Sequence, residues 1–366
     1  MDGLDLSLIK SDGYNEYTSI LDDYFEFDVE LRKNLIDLRS LISSEEDLNK
    51  HSQEITDFER KFTLFTSEIV NKILKNFNDK VDLIGFHGQT ILHNPTKRIT
   101  KQLGDGKLLS QIIKKIVVSD FRQQDLQNGG QGAPLTPIFH KLMCKFLEKK
   151  YDLQFPLNII NIGGITNITK IFKENYLENS NLIAFDIGPG NCLIDEWVRK
   201  NSNNKFDNNG QIGKSGKVND LILNQAIDNF NFEKYGASLD INDFDIYFAK
   251  GLSLEDGCAT ITKFSANLIA KGIKYVNNLN DQISFETLVC GGGRKNTFLI
   301  ESINEKLVNS KIKLKDIDSY GLQGDFIESQ AFGYLAIRSF LNLPNSFPNT
   351  TGCKKPTVGG TINKNF

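Results

Sequence analysis

The chain of 366 residues is poor in the features that announce several protein classes. Its five cysteines, Cys144, Cys192, Cys258, Cys290 and Cys353, are odd in number and contain no C-x-x-C pair. That excludes a disulfide framework and a cysteine zinc site, and it fits reduced thiols in a cytoplasmic protein. Lysines are scattered rather than clustered and the formal net charge is -3, so nothing points to nucleic acid. No apolar run is long enough to span a bilayer, and no opening segment reads as a secretory signal, so no membrane is expected. Internal repeats of the solenoid kind are also missing. Hydrophobic content of 39% and charged content of 24% are those of an ordinary globular protein. Its length exceeds what one core serves well, and two domains follow as the default.

What is present is a set of strand-to-glycine junctions. Leu182-Ile183-Ala184-Phe185 is an apolar run that ends in Asp186, followed by Ile187-Gly188-Pro189-Gly190-Asn191 and a helical segment, Cys192 to Lys200. An open α/β sheet delivers an acid to a ligand in this way, at the carboxyl end of a strand. Glycine permits close approach of the backbone to a phosphate, and a helix start favours negative charge. Leu157 to Ile160 leads likewise into Asn161-Ile162-Gly163-Gly164-Ile165-Thr166-Asn167, and Leu288-Val289-Cys290 into Gly291-Gly292-Gly293. Any one of these is a plausible tight turn, whereas all of them together argue for a site.

Elsewhere, Leu4 to Ile9 and Tyr14 to Ser19 read as a hairpin. Phe58, Phe62, Phe65, Ile69, Ile73 and Phe77 line one face of a long amphipathic helix and are core, not a base-stacking stripe. His87 and Gln89 lie at a predicted strand end beside Gly88, and Arg122 follows another short strand. A guanidinium there suits a carboxylate or phosphate, the alternative being a surface salt bridge with Asp120 or Asp125. Glu328 opens a helix from Ile327 to Leu341, where an acid is ordinarily a dipole effect. Gly210-Gln211-Ile212-Gly213-Lys214-Ser215 ends like a phosphate-binding loop, but the required glycine five residues before Gly213 is Asn208. It reads as a solvated surface loop.

These motifs, in this order, resemble the anhydro-N-acetylmuramic acid kinases, of the sugar kinase, actin and heat-shock ATPase superfamily. The matching segments are Asp2-Gly3-Leu4-Asp5, Phe86 to Thr90, Ser119 to Arg122, Gly129 to Pro134, Asn161 to Asn167, Phe185 to Asn191, Gly291 to Gly293, and Glu328 with Ala331-Phe332. The resemblance implies an α/β, two-domain actin-like fold with a central cleft. The domains would be 1–136 on the sugar side and 137–366 on the nucleotide side, with the tail 343–366 packing back on the first. It implies a kinase that opens 1,6-anhydro-N-acetylmuramic acid with water and phosphorylates O6 in cell-wall recycling. Alternatives are another sugar kinase or ATPase of the superfamily, or a catalytically dead sugar-binding homologue.

By the same resemblance Asp186 is the catalytic base. Asp2, Gly3, Asn161, Gly163, Gly164, Gly188, Gly190, Asn191, Gly291, Gly292 and Gly293 serve the nucleotide, and His87, Gln89, Arg122 and Glu328 the sugar. ATP and Mg²⁺ are the implied cofactors, the metal held mainly through the phosphates, and a homodimer is expected. The family opens with a strand and a Gly-Thr-Ser step before Asp-Gly. This sequence starts at Met1-Asp2-Gly3. The expectation is either a start placed late, at an internal methionine of a Gly-Thr-Ser-Met-Asp-Gly stretch, or a protein lacking part of its phosphate clamp. In the form given, a weakened phosphate grip is expected.

Overall fold

The computed structural model describes residues 3–173, 182–230, 239, 241–278, 286–310 and 312–366. The fold is mixed α/β and divides into two compact units, Met1–Leu142 with Glu328–Phe366, and Met143–Ile327. The helix at 327–340 therefore groups with the first unit, where the sequence alone had put it in the second.

In the first unit, β1 (Gly3–Ser11) and β2 (Tyr17–Glu26) form an antiparallel pair with a bulge at Leu8/Ile9. Asp12 closes the turn by accepting the amides of Tyr14, Asn15 and Glu16 at 2.8, 2.8 and 2.9 Å. β3 (Leu83–Phe86) runs parallel to β6 (Ile116–Ser119), while β4 (Gln89–Asn94) and β5 (Ile99–Leu103) make a separate hairpin. The long helix Ser52–Asn76 buries Phe58, Phe62 and Ile69, as its periodicity requires, whereas Phe65 is only partly covered. Phe62 stacks on Phe86 at 5.8 Å between centroids, which ties that helix to β3. Gly85 on β3 is a close approach: a Cβ there would lie 2.5 Å from the Phe332 carbonyl oxygen of the helix Ile327–Phe340.

The second unit is built on β7 (Leu157–Ile162), β8 (Ile165–Ile171), β9 (Leu182–Pro189), β10 (Glu286–Cys290) and β11 (Lys313–Asp316). Their order is β11-β10-β7-β8-β9, with β10 parallel to β11 and β7, and β8 antiparallel to both its neighbours. Ile160, Ile168, Phe185 and Val289 share a core with Ile261, Leu268 and Ile269 of the helix Leu254–Asn278. Late in the chain, β12 (Thr361–Asn363) pairs antiparallel with β6, and the Asn363 amide reaches the Val117 carbonyl at 3.2 Å and Ser119 Oγ at 3.0 Å.

Candidate functional site

Asp186 does not end its strand. β9 continues to Pro189 because β8 supplies partners as far as Ile165, opposite Pro189. The carboxylate is 7% exposed, and its Oδ2 accepts the Leu239 amide at 2.8 Å. Directly across from Asp186 on β8 is Asn167, and directly across from Asn167 on β7 is Asn161. Residues paired this way in antiparallel ladders share a face, so an acid and two amides stand in one row. Asn167 was not among the residues singled out in the sequence. The hairpin leaves three residues, Gly163 to Ile165, between the paired Ile162 and Thr166, and that register makes Asn161 and Asn167, six positions apart, direct partners.

The glycines divide by what surrounds them. Gly190 approaches another strand end so closely that a Cβ would sit 2.2 Å from the Gly163 carbonyl oxygen. Gly291, at φ +80°, would put its Cβ 2.2 Å from Asn161 Oδ1, and Gly293 would meet Ile162 Cγ2 at 2.2 Å. These three are glycine because protein packs against them. Gly188 has φ +153° and faces Leu268, again a packing role. A Cβ on Gly292 would meet nothing within 4 Å among the described residues, and on Gly163 and Gly164 the nearest of their atoms would lie at 3.5 and 3.8 Å. At those last three positions glycine is not required by packing against the described residues.

The helix Cys192–Asn201 is less available to an anion than its place suggests. The amide of Asn191 donates to the Gly163 carbonyl at 2.8 Å, and those of Gly190 and Cys192 donate to the Gly164 carbonyl at 2.8 and 3.2 Å. The first turn is thus fastened to the β7–β8 hairpin. Residues 208–215 likewise form a 3-10 turn and a short helix rather than a loop. Asp207 accepts the Ile212 and Gly213 amides at 2.7 and 3.0 Å, so a protein carboxylate takes the donors that a phosphate loop would offer.

Behind Gly291 to Gly293, Arg294 is 8% exposed and ringed by acids. It reaches Asp318 at 2.7 Å and Asp325 at 2.5 Å and donates to the Gly291 carbonyl at 3.1 Å. Asp318 accepts the Gly324 amide at 2.7 Å, and Gly291 donates to the Gly324 carbonyl at 3.0 Å. The glycine turn and the 318–325 segment are therefore one cross-braced piece.

In the first unit, His87 follows β3 and Arg122 follows β6 on parallel neighbours, which brings them together. Arg122 Nε donates to His87 Nε2 at 3.2 Å and its Nη1 to the Gly132 carbonyl at 2.7 Å. The salt bridges with Asp120 or Asp125 are replaced by these bonds; Asp125 instead accepts the Gly132 amide at 2.7 Å and the hydroxyls of Ser346 and Thr351. Burial, and secondarily the Arg122 charge, holds the His87 pKa down at about 3. The ring is neutral, with its proton on Nδ1, because Nε2 must accept from Arg122. His87 stacks on Phe332 at 4.1 Å.

Glu328 is exposed, yet the protein around its carboxyl raises its pKa above the usual range by desolvation, a shift the Arg122 charge opposes. Gln89 begins β4, paired with Leu103. His93, also on β4, was missed in the sequence although it is one of only four histidines. Its Nδ1 lies 3.1 Å from Thr100 Oγ1, and burial, then Arg122, lowers its pKa to about 4. Gly3 starts β1 opposite Glu26, and Asp2 lies outside the described residues.

A buried carboxylate on a mixed sheet, with open glycine backbone at neighbouring strand ends, is the equipment of an α/β phosphotransferase. The sequence description of the anhydro-N-acetylmuramic acid kinases matches residues 1–365. A protein of that name from Pelagibacter ubique is 50% identical over 368 residues, covering 100% of this chain and 96% of the relative. Others of that name are 35% identical in Brucella canis (98% and 95% covered) and 33% identical in Rhodospirillum rubrum (99% and 91%). Among solved structures, an activator of 2-hydroxyisocaproyl-CoA dehydratase from Clostridium difficile with bound ADPNP shows a partial likeness. It has a TM-score of 0.32 and 12% identity over 52% of this chain and 63% of that one. The chain belongs to the anhydro-N-acetylmuramic acid kinase family.

Proposed function

We propose that Asp186 is the general base of a kinase that opens 1,6-anhydro-N-acetylmuramic acid with water and phosphorylates the freed O6 from ATP. The products are N-acetylmuramic acid 6-phosphate and ADP, and the setting is cytoplasmic peptidoglycan recycling. The observation that carries this reading is the placement of Asp186: buried, with Oδ2 held by the Leu239 amide, in a polar row at the end of the sheet. A carboxylate fixed in this way accepts a proton from a nucleophile in a set direction, the geometry general-base catalysis needs. Transfer of the phosphoryl group then rests on positioning and charge neutralisation rather than on further covalent chemistry.

On this reading Gly163, Gly164 and Gly292 give the nucleotide its closest backbone approach. Asn161, Gly188, Gly190, Asn191, Gly291 and Gly293 shape that surface from behind, and Gly3 and Asp2 add to the phosphate side. Mg²⁺ would be held mainly through the phosphates of ATP, with water completing its shell. When bound, the metal neutralises phosphate charge.

Arg122, oriented by His87 and Gly132, is assigned to the lactyl carboxylate of the sugar, with Gln89 and Glu328 beside it. Exposed Ile20, Tyr24, Val29 and Ile36 suit a contact between two copies in a homodimer. The test is a coupled assay with anhydro-N-acetylmuramic acid, ATP and Mg²⁺, comparing the native chain with Asp186→Asn. ADP and sugar 6-phosphate should form one for one, and only with the native chain.

A further inference from the structure

The face of the second unit's sheet that carries Asp186 changes character abruptly. Leu157, Ile171 and Leu182 form one cross-strand row, and Ile159, Thr169 and Ala184 the next, all at most 4% exposed. The third row is Asn161, Asn167 and Asp186. Asn167 Oδ1 is buried and, among the described residues, accepts no hydrogen bond. A buried carbonyl oxygen without a donor is destabilising. Its register partner on β9 is Asp186, whose carboxylate is another acceptor. A water molecule carries two donors, one for Asn167 Oδ1 and one for the carboxylate that takes its proton. A sugar hydroxyl has a single proton to give and leaves one acceptor unfilled.

We infer that Asn167 is a positioning residue for the attacking water, an inference that rests on Asp186 being the base. Asn167 Oδ1 accepts one O–H, and Asp186 accepts the other and takes that proton, so the oxygen lone pair is aimed at the anomeric carbon. The new bond joins water oxygen to C1 as the C1–O6 bond breaks. O6 takes the γ-phosphoryl group as its bond to the β-phosphate oxygen breaks, and ADP leaves. The proton held by Asn167 remains as the anomeric hydroxyl.

The test compares Asn167→Ala and the gentler Asn167→Ser with the native chain, with circular dichroism to verify folding. For Asn167→Ala, kcat should fall about 10- to 100-fold, the scale of a misplaced reactant. KM for sugar and for ATP should stay within about twofold, because the water is held only on the way to the transition state. In water–methanol mixtures the share of methyl glycoside 6-phosphate should rise several-fold, since methanol lacks the second proton and its methyl group fits the space left by the amide. A purely structural role would not move that partition. Native kcat, an unchanged methanol partition, or a shifted Mg²⁺ half-saturation (which would make Asn167 a metal ligand) overturns the inference. Should Asn167→Ala misfold, Asn167→Ser is read by the same criteria. Asp186→Asn is run alongside: if it stays active the base assignment itself falls, whereas an inactive Asp186→Asn beside a native-like Asn167→Ala removes only the present inference.

Discussion

Gly291 and Gly292 are neighbours with opposite reasons for being glycine, and substitutions separate them. Gly291→Ala forces a side chain into φ +80° and against Asn161 Oδ1. It should cost about 1–3 kcal/mol of stability, visible in urea denaturation. Among the described residues nothing crowds Gly292, so Gly292→Val should leave the denaturation midpoint unchanged while weakening ATP in calorimetric titration and sparing the sugar. Equal losses for both ligands would remove Gly292 from the nucleotide surface. Arg122→Ala should raise KM for the muramic substrate by about 10- to 100-fold, the loss of a charge-assisted pair. An analogue without the lactyl carboxylate should show little change; identical shifts for the two sugars would move Arg122 off that group.

At the scale of elements, strands and helices were legible wherever burial imposed a clear period. The Phe58–Phe62–Ile69 stripe defines its helix, and Leu157 to Ile162 its strand, because each has one face to bury. The same local reading stopped β9 too soon, since Gly188 and Pro189 look like a turn until β8 is known to pair with them. It also left 208–215 as a loop, because the organising group is Asp207, a side chain that caps amides five and six positions onward. Asn167 and His93 escaped notice for a related reason: Asp186 and Arg122, the groups that give them interest, come from other strands and segments, which no linear motif displays. The capped helix at 211–215 yields a prediction. Lys214, exposed and paired with Glu301 at 3.1 Å, should be replaceable by Ala with no change in KM for ATP. An ATP defect in Lys214→Ala would restore the phosphate-loop reading.

For the whole molecule, pH acts through buried imidazoles. Burial depresses the pKa of His87 to about 3, His93 to about 4 and His140 to about 3. A base depressed in the folded state stabilises it fully above its unfolded pKa of about 6.5, and that contribution is lost as pH falls toward the folded values. At pH 5 each such histidine costs roughly 2 kcal/mol relative to neutrality. Glu328, shifted upward, acts in the opposite sense, but one acid stands against three imidazoles. Urea denaturation of the first unit's signal should show a clear loss between pH 7 and 5, and a flat profile would mean that these rings are charged or exposed. The chemistry itself turns on Asp186. Its most direct measurement is single-turnover formation of sugar 6-phosphate by Asp186→Asn at saturating ATP and sugar. Loss of a positioned base predicts a rate about 10²–10⁴-fold below native with nucleotide affinity retained. A rate near native would show that the proton goes elsewhere and that Asp186 is not the base.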